Sequence, residues 1–135
     1  MSYLLDTNTC IGYLNRRNQN IFQNLHARSP TEIRLCDVVK FELYYGAYRS
    51  SRQQQNLALL ERFFSAFQSL PFDGDSAIVC GCIRSQLQGQ GTPIGAYDFQ
   101  IAAIALAYNL TLVTHNLREF NRVENLKLED WEIEL

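Results

Sequence analysis

The chain has 135 residues, of which 47% are hydrophobic and 19% are charged, and its formal net charge is −2. This composition is apolar enough to close the core of one domain and excludes a disordered chain. No apolar run approaches the roughly 20 residues of a membrane-spanning helix. The N-terminus also lacks the basic region of a signal peptide. We therefore expect one domain over residues 1–135, located in the cytoplasm.

Short apolar runs predict strands in the first half of the chain, and apolar residues spaced by three or four predict helices. The elements in order are a strand over 2–6, helices over 9–16 and 19–28, a strand over 33–36, and helices over 38–47 and 52–68. Either Thr7 or Asn8 is expected to cap the first helix, and Asp37 the third. Phe22 is expected to face the core from the second helix.

The second half of the chain continues the alternation of strands and helices. Its predicted elements are a short strand over 70–72, a turn over 73–75, a helix over 76–89, a loop over 89–95, a helix over 97–109, and strands over 110–114 and 131–135. The helix over 97–109 is apolar nearly all round, which indicates that it is buried. This pattern predicts an α/β fold with a mostly parallel central sheet.

Three acidic residues interrupt apolar segments in which a carboxylate is costly to bury. Asp6 ends the first strand, Glu42 lies within an apolar helical segment, and Asp98 opens the buried helix. Ligands of parallel sheets bind beyond the carboxyl ends of the strands, so the three acids can meet there. Carboxylates are the ligands that Mg²⁺ and Mn²⁺ prefer, so the trio predicts a site for one of these ions. His115 is expected to border this pocket without binding the ion, because no second histidine has ligand spacing.

Each candidate residue also has a purely structural interpretation. Asp6 and Asp98 are good helix caps, and Glu42 suits the exposed face of an amphipathic helix. Asn116 and Glu119 lie in a polar turn and are typical loop residues. The joint pattern, rather than any single member, indicates a functional site.

The small net charge conceals an uneven distribution of charged residues. Six of the 14 acidic residues follow Arg118, which leaves eight among residues 1–118, whereas ten of the 12 basic residues lie in that segment. Three of those eight acids are the candidate metal ligands. If a cation neutralises them, the body of the protein is basic and suited to phosphates. Scattered arginines on a solvated surface remain the alternative interpretation.

Several segments follow one another at characteristic spacing along nearly the whole chain. They read LLDTN at 4–8, FELYYGA at 41–47, PIGAYDFQIA at 93–102, LVTHNLREF at 112–120 and LEDW at 128–131. Together they resemble the PIN-domain ribonucleases, and among these the VapC toxins of bacterial toxin–antitoxin pairs. The resemblance implies a PIN-like, Rossmann-like fold of three layers, with a mostly parallel central sheet flanked by helices.

The resemblance also implies the chemistry of the site. It assigns Asp6, Glu42 and Asp98 as ligands of Mg²⁺ or Mn²⁺, and it adds Asn116 and Glu119 to the catalytic residues. The family often has an aspartate where this chain has Asn116, and a neutral amide binds a hard cation more weakly. Glu119 is therefore expected to supply the missing charge.

The activity implied by the resemblance is metal-dependent cleavage of structured RNA, such as tRNA, by an endoribonuclease that acts as a toxin. The implied partners are a second copy of the chain in a homodimer and a cognate VapB-like antitoxin that inhibits the enzyme. No membrane partner is expected.

Other α/β classes of similar length fit the sequence less well. A receiver-like signalling domain needs an acidic pair after its first strand and a lysine after a late strand, and neither follows here. A haloacid-dehalogenase-like phosphatase needs Asp-x-Asp, whereas this chain has Asp6 followed by Thr7 and Asn8. A catalytically idle domain that binds RNA or protein is a third alternative, which the intact acidic trio disfavours.

Overall fold

The protein is described by a computed structural model that covers residues 1–133. Five strands lie in this range: β1 (Tyr3–Leu5), β2 (Ile33–Cys36), β3 (Gln68–Leu70), β4 (Thr111–Val113) and β5 (Leu128–Glu129). The same range contains the α-helices α1 (Thr7–Leu14), α2 (Gln19–His26), α3 (Asp37–Arg49), α4 (Gln53–Ser65), α5 (Gly74–Gly89), α6 (Ala96–Ala107) and α7 (Leu117–Phe120). A 3-10 turn at Pro30–Glu32 leads into β2.

The strands form one sheet in the order β3-β2-β1-β4-β5, and every pairing is parallel. β1 lies at the centre, where Leu4 is opposite Arg34 of β2 and Leu112 of β4. Helices flank the sheet in a three-layer α/β arrangement. The predicted fold class is therefore confirmed.

The core lies around the central strands and helix α6. Leu4, Leu5, Leu112 and Val113 are completely inaccessible to solvent, as expected for parallel strands that are covered on both faces. Helix α6 buries a continuous run over 101–105, which confirms the prediction drawn from its all-round apolar surface. None of the helices within residues 1–133 is long and apolar enough to cross a membrane.

The expected caps of α1 (Thr7 or Asn8) and α3 (Asp37) are wrong, whereas the alternative interpretation of Asp6 as a helix cap is confirmed. Helix α1 starts at Thr7, and its cap is Asp6, whose Oδ1 accepts a hydrogen bond from the Thr9 amide at 2.8 Å. Helix α3 starts at Asp37 itself, and its cap residue is Cys36, which makes no side-chain cap bond. The carboxylate of Asp37 accepts a hydrogen bond from Ser69 Oγ of β3. Asp6 is therefore used in a local cap, whereas Asp37 is used in a contact with another strand.

Two predicted strands are displaced along the chain. β3 covers 68–70 rather than 70–72, because Pro71 has no N–H to donate to a neighbouring strand. The final strand was predicted over 131–135, but β5 lies at 128–129, opposite Leu112 and Val113. Residues 131–133 form a bend, and residues 134–135 lie outside the described part of the chain. The strand predicted over 33–36 matches β2, and the other predicted elements agree to within three residues at each end.

Two further features differ from the sequence predictions. Helix α7 was not predicted, because four residues are too few to show a helical period. Phe22 does not face the core but is 48% exposed, and its ring stacks on Tyr13 at a centroid distance of 6.1 Å. The buried residues of α2 are Ile21, Asn24 and Leu25.

Candidate active site

The predicted acids lie near the carboxyl ends of the two central strands. Asp6 directly follows β1 and Thr114 directly follows β4, which pair side by side. The order of the strands reverses at this point, which is where ligands bind in open parallel sheets. Helices α3 and α6 run back along the sheet from the same edge, so Glu42 and Asp98 lie in their first two turns.

Asp6 is a buried carboxylate held by the first turn of α1. Its side chain caps that helix, and its backbone N–H donates to the carbonyl of Val113 at 3.1 Å, which ties it to β4. Burial raises the pKa of Asp6, while hydrogen bonds from Thr114 and Thr9 partly offset that effect. Asp6 is therefore a helix cap and a member of the pocket at once.

Glu42 is positioned by Thr7, for which the sequence predicted only a role as a helix cap. The hydroxyl of Thr7 donates a hydrogen bond of 2.7 Å to Glu42 Oε1, across 35 positions of the chain. This bond links the start of α1 to the second turn of α3 and orients the half-buried carboxylate. The position of Thr7 directly after Asp6 was the only sequence signal for this role.

Asp98 provides the evidence that the predicted acids lie near one another. Its pKa is raised to about 6, first by burial and then by the negative charges of Glu119, Glu42 and Asp6. Within residues 1–133, none of these four carboxylates forms an ion pair with a lysine, arginine or histidine. The pocket therefore holds concentrated negative charge without a basic partner.

Gly95 lets the backbone approach the carboxylate of Asp98 closely. A Cβ atom added to Gly95 would lie 3.1 Å from Asp98 Oδ2, a tighter contact than most side chains make. The φ angle of Gly95 is −58°, which any residue can adopt, so space rather than backbone conformation favours glycine here.

Asn116 contacts Glu119 rather than standing alone in the pocket. Its Nδ2 donates to Glu119 Oε2 at 3.2 Å, and its backbone N–H donates to Thr114 Oγ1 at 3.0 Å. Helix α7, which follows Asn116 directly, carries Glu119 close enough to raise the pKa of Asp98. Asn116 thus lies in a loop, as its alternative interpretation expects, whereas Glu119 lies on α7.

A second cluster borders the pocket. Nδ1 of His115 lies 2.9 Å from Asp130 Oδ2 and 3.2 Å from Glu132 Oε2, and these acids raise the pKa of the histidine. Asp130 is almost fully buried, and its charge contributes to the raised pKa of Asp6. His115 therefore lies at the rim of the acidic pocket, as the sequence predicted.

The predicted trio is more widely spaced than this rim cluster. Among residues 1–133, His115, Asp130 and Glu132 are the one group of three such side chains whose ligand atoms all lie within 4.8 Å of one another. The hydrogen bond from Thr7 fixes Glu42 Oε1 relative to the start of α1. The donor set of the trio consists only of oxygen atoms and carries excess negative charge, which fits Mg²⁺ or Mn²⁺.

Comparison with known proteins identifies the family. The sequence profile described as PIN domain matches residues 3–126. The chain is 38% identical to a tRNA(fMet)-specific endonuclease VapC from Salmonella typhimurium, with 97% of this chain and 98% of the relative covered. It is 37% identical to ribonuclease VapC2 from Rickettsia felis, with 98% and 99% covered.

Solved structures agree with the sequence comparison. The chain superimposes with a TM-score of 0.92 on a chain of the DNA-bound VapBC crystal structure from Salmonella typhimurium, at 37% identity and with 97% and 98% of the two chains covered. The TM-score is 0.91 for VapBC2 from Rickettsia felis bound to a promoter DNA fragment, at 36% identity and with 97% and 99% covered. The resemblance noted in the sequence is confirmed: the chain belongs to the PIN-domain family and, within it, to the VapC ribonucleases.

Proposed function

We propose that this protein is a Mg²⁺- or Mn²⁺-dependent endoribonuclease and the toxin of a toxin–antitoxin pair. The observation that carries the proposal is that Asp98 lies close to the negative charges of Glu119, Glu42 and Asp6 at the switch point of a VapC-type fold. Burial and like charge raise the pKa of Asp98 to about 6, and no basic side chain within residues 1–133 pairs with these acids. A divalent cation is the partner that such a pocket lacks.

In the proposed mechanism, Asp6, Glu42 and Asp98 would hold the ion. When bound, the ion would activate water and stabilise the charge that develops on the phosphate. Asp98 or Glu119 would orient the attacking water and accept its proton. Attack in line breaks the bond between phosphorus and the 3′-oxygen, which leaves a 5′-phosphate and a 3′-hydroxyl.

We propose structured RNA, and specifically tRNA, as the substrate. The Salmonella typhimurium relative is named for its action on tRNA(fMet), and it matches this chain over nearly its whole length. The charge distribution supports an anionic substrate, because residues 1–118 hold ten basic residues and eight acids, and three of those acids are the proposed metal ligands. With the site acids neutralised by a cation, this part of the protein attracts a phosphate backbone.

A VapB-like antitoxin is the proposed protein partner. The structures of the Salmonella typhimurium and Rickettsia felis relatives are described as VapBC assemblies. On this chain, an apolar groove of about 290 Å³ between α1, α3 and α4 reaches Glu42, and its lining includes Leu14, Leu43 and Leu60. A peptide with apolar side chains in the groove and a cationic side chain at Glu42 would compete with the metal ion.

We also propose that the chain is one domain located in the cytoplasm, and that it forms a homodimer, as the family resemblance implies. Light scattering of the purified protein should give twice the mass of the 15.6 kDa chain. A monomer at micromolar concentration would contradict the homodimer without affecting the proposed catalytic residues.

The ribonuclease is tested by incubating the purified protein with an initiator tRNA transcript and with total bacterial RNA, in Mg²⁺, Mn²⁺ or EDTA. Cleavage should require a metal ion, and sequencing of the new RNA ends should map one main cut. Asp6→Asn should lower the rate at least about 100-fold, because a neutral amide binds the ion weakly. Asparagine is also a good helix cap, so the variant should remain folded.

Asp75→Asn is the matched control, because this exposed aspartate lies in the first turn of α5, apart from the pocket. It should cleave RNA like the wild type. Cleavage by Asp6→Asn at the wild-type rate would refute the assignment of the site. Calorimetry that detects no binding of Mg²⁺ or Mn²⁺ would instead favour a catalytically idle domain that binds RNA or protein.

A further inference from the structure

Helix α3 exposes a row of aromatic side chains next to the acidic pocket. Phe41, Tyr45 and Tyr48 are 47%, 56% and 60% exposed. Their spacing of four and three residues places them on one face of the helix. A contiguous row of exposed large apolar side chains on a soluble protein marks a contact surface rather than a folding requirement.

The row begins with an aromatic pair that joins two elements of the site. The ring of Phe41 meets the ring of Tyr97 on α6, with centroids 5.1 Å apart and an interplanar angle of 70°. Tyr97 is 46% exposed, so both rings present surface to solvent. Phe41 directly precedes Glu42 on α3 and Tyr97 directly precedes Asp98 on α6, so the contact between the rings joins the same two helices that carry these carboxylates.

The chemistry of this surface matches a nucleotide. Every nucleobase has a flat face that stacks on aromatic side chains, and such stacking tolerates any base. Further along α3, Arg49 donates a hydrogen bond of 2.8 Å to the hydroxyl of Tyr45, and its guanidinium lies 5.5 Å from the centroid of that ring. The row therefore passes from rings beside the acids to an exposed cation that suits a neighbouring phosphate.

We infer that Phe41 and Tyr97 form a platform on which a nucleobase adjacent to the cut phosphate stacks. The inference rests on the proposed ribonuclease function and adds two positioning residues to it. A base on this platform must leave its own helical stack, so the platform selects unpaired nucleotides at the cut. A phosphate that is held near Glu42 and Asp98 leaves its attached nucleoside at the edge that the two rings occupy.

The test is a cycle of enzyme variants and altered substrates. The variants Phe41→Leu and Tyr97→Leu keep apolar side chains but remove the flat ring. Phe22→Leu is the matched control, because Phe22 is 48% exposed but lies on α2 and takes no part in the site. The substrates are a short RNA hairpin that carries the mapped cut and two copies with an abasic nucleotide on the 5′ or the 3′ side of it.

On the intact hairpin, Phe41→Leu and Tyr97→Leu should each lower kcat/KM by roughly 5- to 150-fold, the range expected for loss of one stacked base. On one of the two abasic hairpins the same variants should differ little from the wild type, because the base they hold is already missing. Phe22→Leu should match the wild type on every substrate. An equal loss on intact and abasic RNA would overturn the platform.

Binding without cleavage provides a second measurement. In an Asp6→Asn background with EDTA, a hairpin that carries 2-aminopurine beside the cut should lose fluorescence on binding, because the base stacks on the rings. Adding Phe41→Leu should abolish that quenching. Quenching that is unchanged in the Phe41→Leu protein would contradict the proposal.

Light scattering of each variant separates this proposal from its main competitor, a contact with a second copy of the chain. Phe41→Leu and Tyr97→Leu should keep the wild-type mass, and a change of mass would assign the row to an interface between copies and overturn the platform. If the wild type cuts no RNA in Mg²⁺ or Mn²⁺, the proposed ribonuclease function is refuted, and the proposed platform is refuted as well. If the wild type is active and Phe41→Leu is equally active, only the platform fails.

Discussion

Asp98 carries a charge that the fold disfavours, and this has a consequence for stability. Its pKa is about 6 in the folded protein, against an ordinary value of 3.8. Between these pH values the folded state binds more protons than the unfolded state, so the free energy of unfolding falls as pH rises from about 4 to about 6. Above pH 6 the ionised carboxylate destabilises the metal-free protein.

Replacement of Asp98 by asparagine should therefore stabilise the metal-free protein while it removes activity. At pH 7.5 in EDTA, we expect Asp98→Asn to raise Tm by roughly 2–4 °C. The difference in Tm between the two proteins should shrink as pH falls from 6 to 4, because the wild-type carboxyl becomes neutral. Addition of Mn²⁺ should raise Tm for the wild type far more than for the variant. Thermal melts by circular dichroism across this pH range measure both effects, and a lower Tm for the variant at pH 7.5 would be inconsistent with this account.

The hydroxyl of Thr7 orients a charged group, so its removal should weaken the site without unfolding the protein. Thr7→Val removes the bond to Glu42 and keeps a side chain of similar shape. We expect Mn²⁺ affinity to fall roughly tenfold, as is usual when a group that orients a metal ligand is lost. Isothermal titration calorimetry measures this, with Thr7→Ser as the control that keeps the hydroxyl. Equal affinities in Thr7→Val and the wild type would show that Glu42 needs no such support.

At the scale of elements, the start of α6 is shaped by the pocket rather than by helix formation. Gly95 precedes this helix and contributes no side-chain cap, although serine, aspartate and asparagine are better caps. Glycine lacks the stabilising hydrogen bond of a side-chain cap, but a Cβ atom at this position would crowd Asp98 Oδ2 at 3.1 Å. The backbone at the helix start thus forms one wall of the site.

Gly95→Ala should displace the carboxylate of Asp98 by a few tenths of an ångström. We expect kcat/KM for RNA cleavage to drop roughly tenfold, because small shifts of positioned groups slow catalysis strongly. Stability should change by less than about 1 kcal/mol, since the φ angle suits alanine and only a side-chain end must move. Gly89→Ala, where an added Cβ meets nothing within 4 Å, is the control for a glycine replaced without a contact. Full activity in Gly95→Ala would show that the wall is not needed.

For the molecule as a whole, the C-terminal segment 129–131 is held by contacts with Arg28, which also lies over Tyr3 of β1. The guanidinium of Arg28 lies 4.7 Å from the ring centroid of Tyr3 and 4.5 Å from that of Trp131, and it also approaches Glu129 at 3.7 Å. Trp131 is 2% exposed and follows Asp130, the acid that borders the pocket. The packing of the C-terminal segment and the electrostatics of the site are therefore connected.

Trp131→Ala should lower the free energy of unfolding by about 3–5 kcal/mol, the usual cost of removing a buried large aromatic side chain. Urea denaturation followed by circular dichroism measures it, because the variant lacks the single tryptophan of the chain. Trp131→Phe should lose less, since it keeps an aromatic ring beside Tyr3 and Arg28. A loss below about 1 kcal/mol in Trp131→Ala would show that the segment is not part of the cooperative core.

The sequence predicted the alternation of strands and helices well, because apolar runs and helical periods are local properties of the chain. It predicted less well which contacts individual side chains would make. Asp37 bonds to Ser69 rather than capping its helix, and Phe22 stacks on Tyr13 instead of entering the core. The final strand was misplaced because its position depends on register with β4, which no local pattern encodes.

Local patterns predicted an α/β fold with a mostly parallel sheet and the resemblance predicted the family, and both are confirmed. The sequence also indicated Asp6, Glu42 and Asp98 as candidate ligands, since burying unpaired carboxylates in apolar segments needs a special reason. How these acids are held depends on the packing of the folded chain. The bond from Thr7 to Glu42, the cluster around His115 and the meeting of Phe41 with Tyr97 join residues far apart in the chain. Such contacts depend on how helices and strands pack at one edge of the sheet, because distance in space is set by topology and not by spacing in sequence.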